Sequence, residues 1–72
     1  MSKIDVKIKK ISDDRYTVKL IDAFVNDLGE MSETELDAFL TVRGLVDRAP
    51  EEVVDFINVG DEVTVQIERT LG

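Results

Sequence analysis

Ile4, Val6 and Ile8 alternate without interruption with Lys3, Asp5, Lys7 and Lys9. A period of two is the mark of a strand with one buried and one wet face. Tyr16, Val18 and Leu20 alternate in the same way with Thr17 and Lys19. Between the two runs, Ser12-Asp13-Asp14 is a turn signal, because such side chains bond their own backbone. Together these runs predict an antiparallel hairpin whose apolar face needs a cover. Ile11 is out of phase with Ile8, so a bulge near Lys9–Lys10 is expected to return it to the apolar face.

The cover comes from two helical segments. Ser32 and Glu35 have the spacing of a capping box, and Met31 and Leu36 that of a hydrophobic staple. Leu36, Phe39 and Leu40 form the stripe to be buried. Arg43 suits the negative end of the helix dipole, and Gly44 suits a left-handed cap. A helix over Glu33 to Arg43 follows. Pro50 fits the first position of a second, short helix, with Glu51 and Glu52 in its first turn. Val53, Phe56 and Ile57 share one face of it, and Asn58 and Gly60 end it. Asp61 opens a last strand in which Val63, Val65 and Ile67 alternate with Thr64, Gln66 and Glu68. The segment Asp22 to Met31 has no clear period: Ala23-Phe24-Val25 fits either an extension of the second strand or a turn of helix, and Asn26-Asp27-Leu28-Gly29 breaks the pattern.

The expected fold is therefore α+β, one domain over residues 1–72, in the order β-β-α-α-β. A three-stranded sheet, antiparallel or mixed, carries both helices on one face. A chain of 72 residues has little apolar surface to spare, and this one contains no cysteine with which to staple itself. Self-association is one way to bury more. The lack of cysteine, and an N-terminus that enters a strand pattern at once, fit a cytoplasmic protein; no run is long enough to suggest a membrane span.

Charge is unevenly placed along the chain. The formal net charge is −7, made of +3 over residues 1–20 and −10 over the rest. Lys3, Lys7, Lys9 and Lys19 should line the wet face of the hairpin, where they would discourage edge-to-edge pairing or meet an acidic partner. Glu30, Glu33, Glu35 and Asp37 gather at the start of the first helix, and Glu51, Glu52 and Asp55 at the second. Acidic residues at helix starts complement the dipole. As a surface, they would dock on a basic protein or imitate nucleic-acid phosphates. A second copy, basic hairpin against acidic helix, is a further arrangement these charges allow.

Catalytic chemistry finds little support. With no histidine and no cysteine there is no thiol or imidazole nucleophile and no zinc site of the usual kinds. Ser12 and Ser32 have turn and cap roles, and the four glycines are isolated, so no loop cradles phosphate. Asp22 to Glu33 has the length of a calcium loop, but Phe24 stands where an oxygen ligand belongs and Gly29 is displaced. No catalytic, cofactor or metal residue is assigned. Tyr16, Phe39 and Phe56 fall on core-facing positions. Phe24 is expected to close the core edge; exposed beside Val25 and Leu28, it would instead be a contact point.

Two partial resemblances add to this. Gly60-Asp61-Glu62-Val63-Thr64-Val65-Gln66-Ile67, running on to Gly72, resembles the last strand of the ubiquitin-like sulfur carriers, small β-grasp proteins that begin with a hairpin. That resemblance implies a carrier activated at a terminal Gly-Gly, whereas this chain ends Thr70-Leu71-Gly72. Pro50-Glu51-Glu52-Val53 followed by Gly60-Asp61 is similar to the second half of swapped-hairpin transcription regulators, without their basic DNA-contacting residues. Each match covers about a quarter of the chain, and a turn feeding a strand accounts for the shared pattern. The expectation is a small, acidic, non-enzymatic interaction domain, an accessory or inhibitor protein. Its contact residues are Glu30, Glu33, Glu35, Asp37, Glu51, Glu52, Asp55 and Phe24, and its partner is a protein with a basic surface. A phosphate mimic and a ubiquitin-like carrier are the alternatives.

Overall fold

The alternating N-terminal runs pair as their pattern requires. In the computed structural model, which describes residues 3–45 and 49–68, β1 (Lys3–Ser12) and β2 (Arg15–Ile21) form an antiparallel hairpin. Val6 lies opposite Leu20, and Ile8 opposite Val18, on the buried face. The register slips between Lys10 and Ser12. The bulge thus sits at Ile11 itself, one step later than expected, and Ile11 stays exposed. Lys10 takes the place opposite Tyr16 instead, with its ammonium 5.6 Å from the ring centroid. No residue of the Asp13-Asp14 turn has a positive φ. A two-residue turn without left-handed residues does not match the strand twist, and the bulge absorbs the difference.

The sheet has four strands rather than three. Val25–Met31 is β3, antiparallel to β2, and the element order is β-β-β-α-α-β. The period was hidden for two reasons. β3 is an edge strand on which all residues but Met31 are exposed, so it has no apolar alternation to show. It is also bulged, between the Val18–Gly29 and Lys19–Asp27 pairs. Gly29 there has φ 80°, and its N–H donates to Asp27 Oδ1 at 2.8 Å.

The last strand, β4 (Glu62–Glu68), joins the other side of β1 antiparallel, giving the order β3-β2-β1-β4. Val65 and Ile67 enter the same buried face as Val6 and Ile8.

Helix α1 (Glu33–Arg43) has the expected bounds. Ser32 Oγ accepts from the Glu35 N–H at 3.2 Å, and Glu35 Oε1 accepts from the Ser32 N–H at 2.9 Å, so the capping box is complete. Gly44 closes the helix at φ 81°, its N–H donating to the Leu40 carbonyl at 3.0 Å. Asp14 of the hairpin turn adds a bond that local spacing could not reveal: its Oδ1 accepts from the Glu33 N–H at 2.8 Å. That satisfies a free donor of the first helical turn and pins α1 to the hairpin.

The second helix, α2 (Pro50–Val54), is shorter than its apolar spacing implied. The buried residues of this segment, Val53, Val54 and Ile57, form one stripe of helical spacing, which leaves Phe56 on its flank and 78% exposed. Phe56 is therefore not a core residue. Phe24, expected to close the core edge, is 77% exposed in the turn between β2 and β3. Phe39 is half-buried against the core, and its ring lies 5.6 Å from the Arg43 guanidinium carbon.

One apolar cluster unites sheet and helices. Leu36 and Leu40 from α1 and Val53 and Val54 from α2 meet the inner-face residues of β1, β2 and β4. Tyr16 lies wholly inside it and donates from its hydroxyl to the Val54 carbonyl at 3.1 Å, tying α2 to the sheet. Both described helices pack on the inner face, and no described helix lies on the outer one. Ser2, Arg48, Arg69 and the Thr70-Leu71-Gly72 tail on which the carrier resemblance turns lie outside the described residues.

Candidate functional site: an acidic groove between the helices

The capping box sets the rotation of α1, and Pro50 starts α2 beside it. The two helix starts leave between them a groove of about 240 Å³ lined by Glu33, Thr34, Asp37, Glu51, Val54 and Asp55. Glu33 and Asp37 are one helical turn apart on α1, as are Glu51 and Asp55 on α2. Such positions are neighbours, with Cβ atoms roughly 5–6 Å apart. Two carboxylate ladders thus border one depression. Among the described residues, none of the four carboxylates is in an ion pair.

Four of the eight residues expected at a contact surface therefore come together. The other four do not. Glu35 is committed to the cap. The hydrogen bond from the Ser32 backbone, then that from the Ser32 side chain, holds its carboxyl below the ordinary glutamate range, with Arg15 adding a smaller pull. Glu52 is exposed on α2 but does not line the groove. Glu30 lies on the outer sheet face opposite Thr17. Phe24 precedes β3, and seven extended residues put it roughly 20 Å from the end of that strand where α1 begins. Thr34 and Val54 were not anticipated in the site; only the packing of α2 against α1 reveals them.

The role of Glu35 gives a pH-dependent expectation. Its folded pKa is depressed, so its contribution is present above the ordinary glutamate pKa and disappears as pH falls through the lower folded value. Ser32→Ala should cost about 1 kcal/mol at neutral pH and shift the Glu35 titration upward. Carboxyl titration by NMR and urea unfolding at neutral and at acidic pH would check both. The stability gap between wild type and Glu35→Gln should close in acid.

The lysines of the sheet do not make a face of one sign. Lys3 lies opposite Glu68, Lys9 opposite Glu62 and Lys19 opposite Asp27, while Lys7 faces Lys19 and Thr64. Cross-strand partners of opposite charge favour the pairing, so much of the lysine stripe is accounted for by the sheet itself. Glu62 and Glu68 on β4, with Asp27 and Glu30 on β3, flank the stripe on both sides. This weakens the case for a basic hairpin docking on the acidic helices of a second copy.

Among the described residues, no cluster of three or more acidic side chains has the geometry to hold a metal ion. No helix among them is long and apolar enough to cross a membrane. Comparison of the chain with protein-family models, with curated proteins and with solved structures finds no match.

Proposed function

We propose that the protein is a non-enzymatic interaction domain whose α1/α2 groove docks lysine or arginine side chains of a basic partner protein. The observation that carries this reading is the meeting of Glu33, Asp37, Glu51 and Asp55 around one groove with no described cation beside them. Stability does not explain all four. Glu33 and Glu51 sit in first helical turns, where negative charge is favourable. Asp37 lies beyond the first turn, and Asp55 is the C-terminal cap of α2, the end at which a negative charge is unfavourable. Acidity placed where the helix gains nothing supports a binding surface for cations.

The two ladders also support a narrower reading, in which the groove imitates the spaced charges of a nucleic-acid backbone. Affinity capture with the tagged chain, run beside Glu33→Gln/Asp37→Asn/Glu51→Gln/Asp55→Asn, tests the groove. The captured partner should be basic, leave at raised salt, and bind the quadruple variant about tenfold more weakly or less. Equal retention of that partner by the variant would defeat the proposal. Displacement of the partner by DNA or RNA would favour the mimic.

A further inference from the structure

The two edges of the sheet are guarded differently. Beside β4, the chain leaving α1 closes part of the edge: Leu45 bridges Ile67, and the Glu68 N–H donates to the Gly44 carbonyl at 3.3 Å. Beside β3, no described strand does the same. Every residue from Val25 to Glu30 is exposed. Alternate backbone N–H and C=O groups of an edge strand point outward unpaired. Lysine and proline are missing from β3; its guards are the bulge at Leu28, the Asp27 and Glu30 charges, and the Gly29 N–H already held by Asp27 Oδ1.

The bulge at Leu28 gives these two charges a definite geometry. Asp27 lies opposite Lys19 and Glu30 opposite Thr17, positions two apart on β2. Although they are three positions apart in sequence, both lie on the outer face as successive members of one row. On the inner face there is room, since a Cβ built on Gly29 would meet nothing within 4 Å. Phe24 and Val25 add exposed apolar surface where the strand begins.

We propose that the free edge of β3 takes up an extended segment of a partner protein, with lysine or arginine at alternate positions, as a fifth strand. Main-chain hydrogen bonds supply the attachment, and cations two residues apart face Asp27 and Glu30. A second copy of this chain is the wrong occupant. Pairing β3 with β3 would gather four carboxylates along one seam, with only the Lys19 behind each Asp27 to offset them, so charge complementarity selects a basic strand. This surface is separate from the α1/α2 groove and does not depend on it.

The probe is a short peptide alternating lysine with valine, titrated into the ¹⁵N-labelled full chain. Alternate amides of Val25–Met31 should gain protection from hydrogen exchange as the peptide binds. Asp27→Asn/Glu30→Gln, which keeps the acceptor for the Gly29 N–H, should weaken binding about fivefold. A peptide with proline at its central valine, lacking the main-chain donor, should bind more weakly still. The proposal fails if no β3 amide is protected, whether the peptide binds nowhere or perturbs only Glu33, Asp37, Glu51 and Asp55; the latter result would leave the groove reading standing. It also fails if the proline peptide binds equally well, or if β3 becomes protected with rising protein concentration alone.

Discussion

Alanine in place of Leu40 is expected to remove about 3 kcal/mol of folding stability. Leu40 is fully buried and lies one helical turn from Leu36, so the two form the ridge of α1 that enters the core. Truncation loses the transfer free energy of the side chain and leaves a cavity that the surrounding β-strands cannot fill, because their inner faces are held in register by the sheet. A chain of 72 residues at typical stability per residue has roughly 4–11 kcal/mol in all. The loss is therefore a large part of the total and should lower the melting temperature by roughly 12–24 °C. Urea unfolding should show a lower midpoint with unchanged slope. Leu40→Met should lose less than about 1.5 kcal/mol, and Val42→Ala, on the exposed face of α1, should change stability by no more than about 0.5 kcal/mol. An equal effect of Leu40→Ala and Val42→Ala would mean that α1 is not seated as described.

Phenylalanine in place of Tyr16 is expected to cost about 2 kcal/mol although it preserves the ring. The hydroxyl is fully buried and donates to the carbonyl of Val54, the last residue of α2, and no other described donor reaches that carbonyl. Without it the carbonyl is left in the core with no partner, which is the expensive way to lose a hydrogen bond. The consequence reaches the groove. A five-residue helix has little stability of its own, so α2 depends on Val53, Val54 and this bond for its position. Tyr16→Phe should therefore raise the hydrogen-exchange rate of α2 amides more than those of α1, and weaken partner binding without touching any groove carboxylate. Uniform loosening of both helices would argue that the bond has no such local role.

Much of the architecture could be read from residue order. The alternation at Lys3–Lys9 and Tyr16–Leu20 survives as paired strands because one face of each is buried and the other is wet. Ser32, Glu35 and Gly44 mark the ends of α1 because caps are local chemistry, settled within a few residues. The missed strand and the two misplaced phenylalanines share another cause. β3 lies at an edge, so nothing imposes alternation on it. Phe56 lies at helical spacing from Val53, but the stripe that is buried runs through Val54 and Ile57 and leaves Phe56 on its flank. Of the expected contact residues, Glu35 was spent on the cap its own spacing announced. Glu30 and Phe24 were carried to a different edge of the sheet.

Local order along the chain determined the hairpin, the two helix starts, most apolar residues of the core and the excess of negative charge. Tertiary packing alone decided that β3 completes the sheet, that Asp14 and Tyr16 anchor the helices, and that Glu33, Asp37, Glu51 and Asp55 border one groove. The difference is physical. Periodicity and caps act over a few residues, whereas the meeting of α1 with α2 depends on how buried surfaces from distant parts of the chain fit together.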